Sequence, residues 1–163
     1  MPETFRAVSI SRSGDSPEEI PFDLVVLAHD ERRIRRRSIT LQHGDTVLVD
    51  FPQPITLNDR DRLVLADGRH VEIIAAEEHL LEIRGRDATH IAELGWHIGN
   101  RHAKAQLDAD AEGQRILILR DHVLATMLRG LGAKVTEISE PFSPLEGAYG
   151  HSHGEPQHAL LAR

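Results

Sequence analysis

The chain has 163 residues, room for one large domain or two small ones, and 19 Lys+Arg against 26 Asp+Glu give a formal net charge of −7. That balance is a poor electrostatic footprint for nucleic acid, and the absence of cysteine removes disulfides, thiolate nucleophiles, cysteine-held zinc and iron–sulfur clusters. Hydrophobic residues at 40% suffice for a core, while eleven histidines leave imidazole and carboxylate as the chemistry of any metal site.

The opening Met1–Ile10 has no apolar stretch of signal-peptide length. The longest aliphatic run, Leu24–Ala28, is far too short to cross a bilayer. The expectation is a cytoplasmic protein with neither membrane nor nucleic acid as partner. Asp23–Ala28 and Thr46–Asp50 read as strands. Arg62–Ala66 and Arg69–Ile74 flank Asp67-Gly68, a strong hairpin signal. Pro52 and Pro54 predict loop or sheet edge around Phe51. Glu31–Arg37 holds five arginines in seven residues, which would suit acidic protein or RNA. With no aromatic residue interleaved for stacking, a solvated turn between strands is the better reading. Residues 1–76 thus read as a small all-β domain.

The pattern then changes. Glu78–Arg84 reads as a strand, and Asp87 caps a helix carrying Ile91, Leu94, Gly95 and Ile98. Gly99-Asn100 closes that helix with residues that tolerate a left-handed conformation. Ala103–Leu107 and Ile116–Leu119 are strands joined by a Gly-containing acidic loop. Asp121 caps a second helix with Val123, Leu124, Met127, Leu128 and Leu131 on one face, stopped by Gly132. Lys134–Ile138 gives the last strand. The order β-α-β-β-α-β predicts a ferredoxin-like domain over residues 77–142, with both helices on one face of its sheet. Residues 143–163, rich in Pro, Gly and His, read as a flexible tail. The fold class is α+β.

Asp108–Gly113 begins like an EF-hand loop but has Leu119 at the twelfth position, where a bidentate Glu belongs, so calcium is set aside. His29, His43, His70, His79 and His90 show no ligand spacing and receive no role. His97 and His102, five residues apart, would lie about 140° apart on a continuous helix and could not chelate one ion. A break at Gly99-Asn100 would free His102 to start the next strand; otherwise it is a C-cap histidine meeting terminal carbonyls. His122 opens the second helix, where the helix dipole favours the neutral imidazole that can ligate a metal. Spacing alone favours an ordinary polar helix start there. In the tail, His151, His153 and His158 fall within eight residues and can wrap nickel, copper or zinc.

His97-Ile98-Gly99-Asn100-Arg101-His102, Asp121-His122-Val123-Leu124, Met127–Gly132, Pro141-Phe142, Pro144 and Glu146–Tyr149 together resemble the urease accessory protein E family, nickel metallochaperones for the urease active site. The resemblance implies a non-enzyme: a homodimer that binds Ni²⁺ at its interface, with His102 from each subunit facing the ion on the two-fold axis. It implies tail histidines His151, His153 or His158 filling open positions, and a peripheral site at His97 and His122 for extra zinc, copper or nickel. It implies the urease apoprotein complex and the urease accessory GTPase as partners. Three departures stand out. Arg120 replaces a histidine found in some members and removes a peripheral ligand. Lys104 stands where proline is frequent, and three tail histidines argue against large nickel storage. Two other classes remain. One is a protein-binding co-chaperone or metal buffer whose nickel is incidental, docking through Arg32–Arg37. The other is a zinc hydrolase with His97, His102, His122 and Glu93 as base, for which no HExxH-type spacing exists.

Overall fold

The computed structural model describes residues 1–15 and 18–147. The first six strands are β1 (Thr4–Ser11), β2 (Asp23–Leu27), β3 (Arg33–Thr40), β4 (Thr46–Thr56), β5 (Arg62–Leu65) and β6 (His70–Ala75). They form one sheet in the order β2-β6-β5-β1-β4-β3, with β1/β4 and β2/β6 parallel and the other pairs antiparallel. Alternation along β5 and β6 turns Leu63, Leu65, Val71 and Ile73 inward, onto Val47, Val49 and Leu57. The sheet curls over this core until the turn after β3 meets β2, where the Gln42 N–H donates to Leu24 O at 3.0 Å.

The arginine run is a strand, not the expected turn. Ile34 and Ile39 anchor β3 in the core, while Arg33, Arg35, Arg36 and Arg37 point outward along an edge, where charge also blocks strand pairing with other molecules. β1 was equally absent from the sequence reading, since of its residues only Ala7 is fully buried. β4 continues through both prolines to Thr56. It can do so because β1 pairs only as far as Val49 and the β3 register slips between Ile34↔Ile55 and Arg36↔Asp50. The missing proline N–H groups therefore fall where the ladder is already broken.

The second domain comprises β7 (Glu77–Arg84), α1 (Ala88–Asn100), β8 (Ala105–Asp110), β9 (Gly113–Leu119), α2 (His122–Gly130) and β10 (Lys134–Pro141). Its antiparallel sheet has the ferredoxin-like order β10-β7-β9-β8. One face packs Leu81, Ile83, Ile116 and Ile118 against Leu94, Ile98, Ala125 and Leu128 of the helices. Val123 is exposed rather than packed, and Ala125 takes the inward position. The turn from β7 into α1 needs Gly85, because a Cβ there would lie 2.7 Å from the Ile91 nitrogen. Gly132, at φ +83°, stops α2 as expected.

The opposite face carries an ion-pair lattice. Arg115 reaches Glu82, Asp108 and Glu140 at 3.0, 2.8 and 2.9 Å, and Arg84 reaches Glu82 and Asp110 at 2.9 and 2.5 Å. The acidic residues of the β8–β9 hairpin are thus spent on arginines. Phe142, fully buried with Leu80 and Leu117, covers the rest of this face. After it, residues 143–147 are tied to both domains. Ser143 N–H donates to Gln106 Oε1 and Leu145 N–H to Ala105 O, both at 2.8 Å, and Thr56 Oγ1 donates to Glu146 Oε1 at 2.5 Å. No helix among the described residues is long and apolar enough to cross a membrane.

Candidate metal centre

α1 positions the first two candidate histidines. Asp87 caps it by accepting from the His90 N–H at 2.8 Å, and Leu94 and Ile98 seat its inner face on the sheet. The helix ends at Asn100, where the sequence placed its close, but neither Gly99 nor Asn100 takes the left-handed conformation. Both residues stay helical, the C-cap is Arg101, and the left-handed residue is His102 itself, at φ +53°. Its N–H closes the last turn on Gly99 O at 3.0 Å. Two further residues, Ala103 and Lys104, precede β8, so His102 stands in the reversal after the helix and not at the start of the strand.

This reversal lifts His102 clear of the domain. The residue is exposed, and its imidazole makes no hydrogen bond among the described residues. It stands on an open groove of about 1150 Å³ between α1 and β8, walled by Ile91, Ile98, Leu107 and Leu145. Leu107 and Leu145 are 59% and 63% exposed, and β8 is the outer strand of its sheet. An unpartnered donor thus sits beside apolar surface that the described residues leave uncovered.

His97 lies half-buried in the last turn of α1, with its ring edge-on to Trp96 at 5.0 Å between centroids. His122 is the exposed first residue of α2, directly after Asp121, which accepts from the Val123 and Leu124 N–H groups. Among the described residues, no three His, Asp or Glu side chains converge in a way that could hold a metal. His97, His102 and His122 therefore form no three-ligand cluster within one chain, which also removes the geometric basis for the zinc-hydrolase alternative. His151, His153 and His158 lie outside the described residues.

Three of the histidines given no role turn out to be structural. His90 is buried; its Nδ1 accepts from the Arg86 N–H at 3.0 Å and its Nε2 bonds Leu131 O at 2.9 Å, joining the start of α1 to the end of α2. His43 bonds the buried Asp23 at 2.7 Å. Burial of that carboxyl raises its pKa, but hydrogen bonds from Leu24 and His43 outweigh this and leave it lowered. His29 sits in the seam between the domains, with Nδ1 2.7 Å from Glu78 Oε1 and Nε2 3.3 Å from Lys104 Nζ. Lysine can only donate, so Nε2 accepts and Nδ1 carries the proton. Nothing in the sequence marked this seam, because its partners are 49 and 75 residues apart.

The chain matches two family models end to end. Residues 10–76 match the N-terminal domain of UreE urease accessory protein, and residues 78–160 match its C-terminal domain. It is 58% identical over 148 residues to the urease accessory protein UreE of Mesorhizobium japonicum, covering 91% of this chain and 74% of that one. With the urease accessory protein UreE 1 of Brucella suis it shares 55% identity over 149 residues, 91% and 90% of the two chains. With that of Brucella anthropi it shares 57% over 151 residues, 91% and 86%. A curled β domain, a ferredoxin-like domain and an exposed histidine after α1 are thus the architecture of a chain that belongs to the UreE family of urease accessory proteins.

Proposed function

We propose that this protein is a cytoplasmic nickel carrier for urease maturation and not an enzyme, with Ni²⁺ as its cargo. Two chains pair through the ferredoxin-like domains, and His102 from each faces one ion on the two-fold axis. Symmetry turns a lone histidine into two ligands. His151, His153 and His158 of the C-terminal segment supply further donors, with Zn²⁺ or Cu²⁺ able to substitute. His97 and His122 serve a separate, peripheral role. The ion passes to the urease apoprotein complex with the urease accessory GTPase.

The observation that carries this reading is the placement of His102. An imidazole with no partner among the described residues is held out by a left-handed backbone, beside exposed apolar residues and the outer strand of the sheet. A histidine in a single-chain site would instead have other ligands near it. The test is Ni²⁺ titration calorimetry with light-scattering mass on the wild type and His102→Ala. The expected result is a dimer with one tight site per two chains, lost in His102→Ala while the dimer persists. Equal affinity in the variant would overturn the axial site and make the C-terminal histidines the principal ligands.

A further inference from the structure

Between the two domains lies a second cleft, of about 870 Å³, that nickel carriage does not use. Its walls include Arg12, Arg32, Arg33 and Lys104 but, among the described residues, only two carboxylates, Asp30 and Glu146. In a chain of formal net charge −7, that is a local reversal of sign. Arg12 is engaged by Asp61 at 2.5 Å. Arg33 meets Glu146 only at 3.9 Å, and both side chains are about half exposed, which makes this a weak pair. Lys104 donates to the neutral His29 ring, and no carboxylate lies within 4 Å of it among the described residues.

Arg32 is the least balanced of the four. It is 2% exposed, its guanidinium donates to the carbonyls of Phe142 and Leu57 and, at 3.5 Å, to the Ser143 hydroxyl, and its Nε has no hydrogen-bond partner among the described residues. Among the described residues no carboxylate lies within 4 Å of it. Burial lowers its pKa from the ordinary arginine value, and Glu78 and Asp59 act against this only through space. Carbonyl dipoles meet part of the charge, but a buried cation without an ion pair is a costly arrangement. The volume is that of a small-molecule site, and among the described residues no Phe, Tyr or Trp lines it to stack a base.

The geometry points to a binding site for a small free oxyanion, of the phosphate or carboxylate class, held at the rim by Lys104 and Arg33 and balanced from beneath by Arg32. The Nε of Arg32 is sealed from solvent, so the ligand bonds the rim cations and the Ser143 hydroxyl and meets Arg32 through its field. Occupancy would draw both domains and the 143–147 segment onto one charge.

Titrations of the full chain with inorganic phosphate and, separately, succinate test this at constant ionic strength set with sodium chloride. Calorimetry and ¹H–¹⁵N NMR are the readouts. The expected result is saturable binding of at least one anion, with amide shifts at Thr56, Lys104 and Ser143. Phosphate alone would assign a tetrahedral dianion, and succinate alone a carboxylate. Lys104→Ala and Arg33→Ala should each weaken it about tenfold. Arg36→Ala, on the same strand but outside the cleft, should leave it unchanged. Arg32→Met probes the buried charge but also cuts the seam, so the rim variants decide. The proposal fails if neither anion saturates, if binding survives both rim substitutions, or if Arg36→Ala weakens it equally.

Discussion

His102 carries a conformational cost that its replacement would reveal. At φ +53° it occupies the position after the C-cap of α1, where glycine is the usual residue. A left-handed conformation costs a residue with a Cβ about 1–2 kcal/mol. Glycine escapes that cost but loses roughly 0.4–1 kcal/mol through its freer unfolded chain. His102→Gly should therefore stabilise the protein by about 0.5–1 kcal/mol, whereas His102→Ala keeps the left-handed strain and should be near neutral. The side chain offers little in return, being exposed and without a hydrogen bond among the described residues.

The assay is urea unfolding of metal-free wild type, His102→Gly and His102→Ala, alongside nickel calorimetry. About 1 kcal/mol corresponds to a Tm change of roughly 2–4 °C in a chain of this size. The expected order of stability is Gly above Ala and wild type, with tight nickel binding lost from both variants. Less stability in His102→Gly than in His102→Ala would refute the strain argument. So would wild-type stability well above both, which would mean that the imidazole is held by contacts in the free protein.

Other consequences follow from the same framework. Gly85→Ala should cost about 1–3 kcal/mol in urea unfolding, because its Cβ would meet backbone at 2.7 Å, whereas Gly99→Ala, with open space around it, should not destabilise. Asp121→Ala orphans the Val123 and Leu124 N–H groups and should cost about 1 kcal/mol, with faster hydrogen exchange confined to the first turn of α2. On the open face, Arg84 and then Arg115 hold Glu82 below the usual carboxylate range, Arg115 does so for Asp108, and Arg84 for Asp110. Stability from these depressed groups is complete above about pH 4–5 and lost as pH falls through their lowered native values. The urea midpoint should therefore drop steeply in acid, and Arg115→Met should flatten that drop.

How far the fold was legible depended on how local its signals were. Asp67-Gly68, the caps Asp87 and Asp121, and the stop at Gly132 act on their own neighbours, and each stands where the sequence placed it. β3 was hidden because only Ile34 and Ile39 of its eight residues are buried, so an edge strand carrying four arginines looks like a solvated turn. The end of α1 misled for a related reason. Gly99 and Asn100 are the residues best suited to a left-handed turn, yet the chain reverses at His102, where local preference predicts no reversal. Such a conflict between local preference and observed backbone is expected where a position serves something other than stability. The seam of Arg32, His29, Glu78 and Lys104 could not be read at all, since each contact joins residues distant in the chain.

The proposed carriage also explains why the donors stand apart from what holds the fold together. The stabilising contacts are the two cores, the helix caps at Asp87 and Asp121 and the Arg84–Arg115 lattice, and the imidazoles of His97, His102 and His122 belong to none of them. Metal capture and release then leave the scaffold unstrained. A closed four-ligand cage would retain its ion, whereas two symmetry-related imidazoles leave positions open for exchange and for donors from a receiving protein. Nitrogen ligands intrinsically prefer Cu²⁺ to Ni²⁺, so such a site selects nickel through the metal available and the geometry of pairing. Nickel selectivity then belongs to the dimer, and a monomeric variant that retains His102 should lose it together with tight binding.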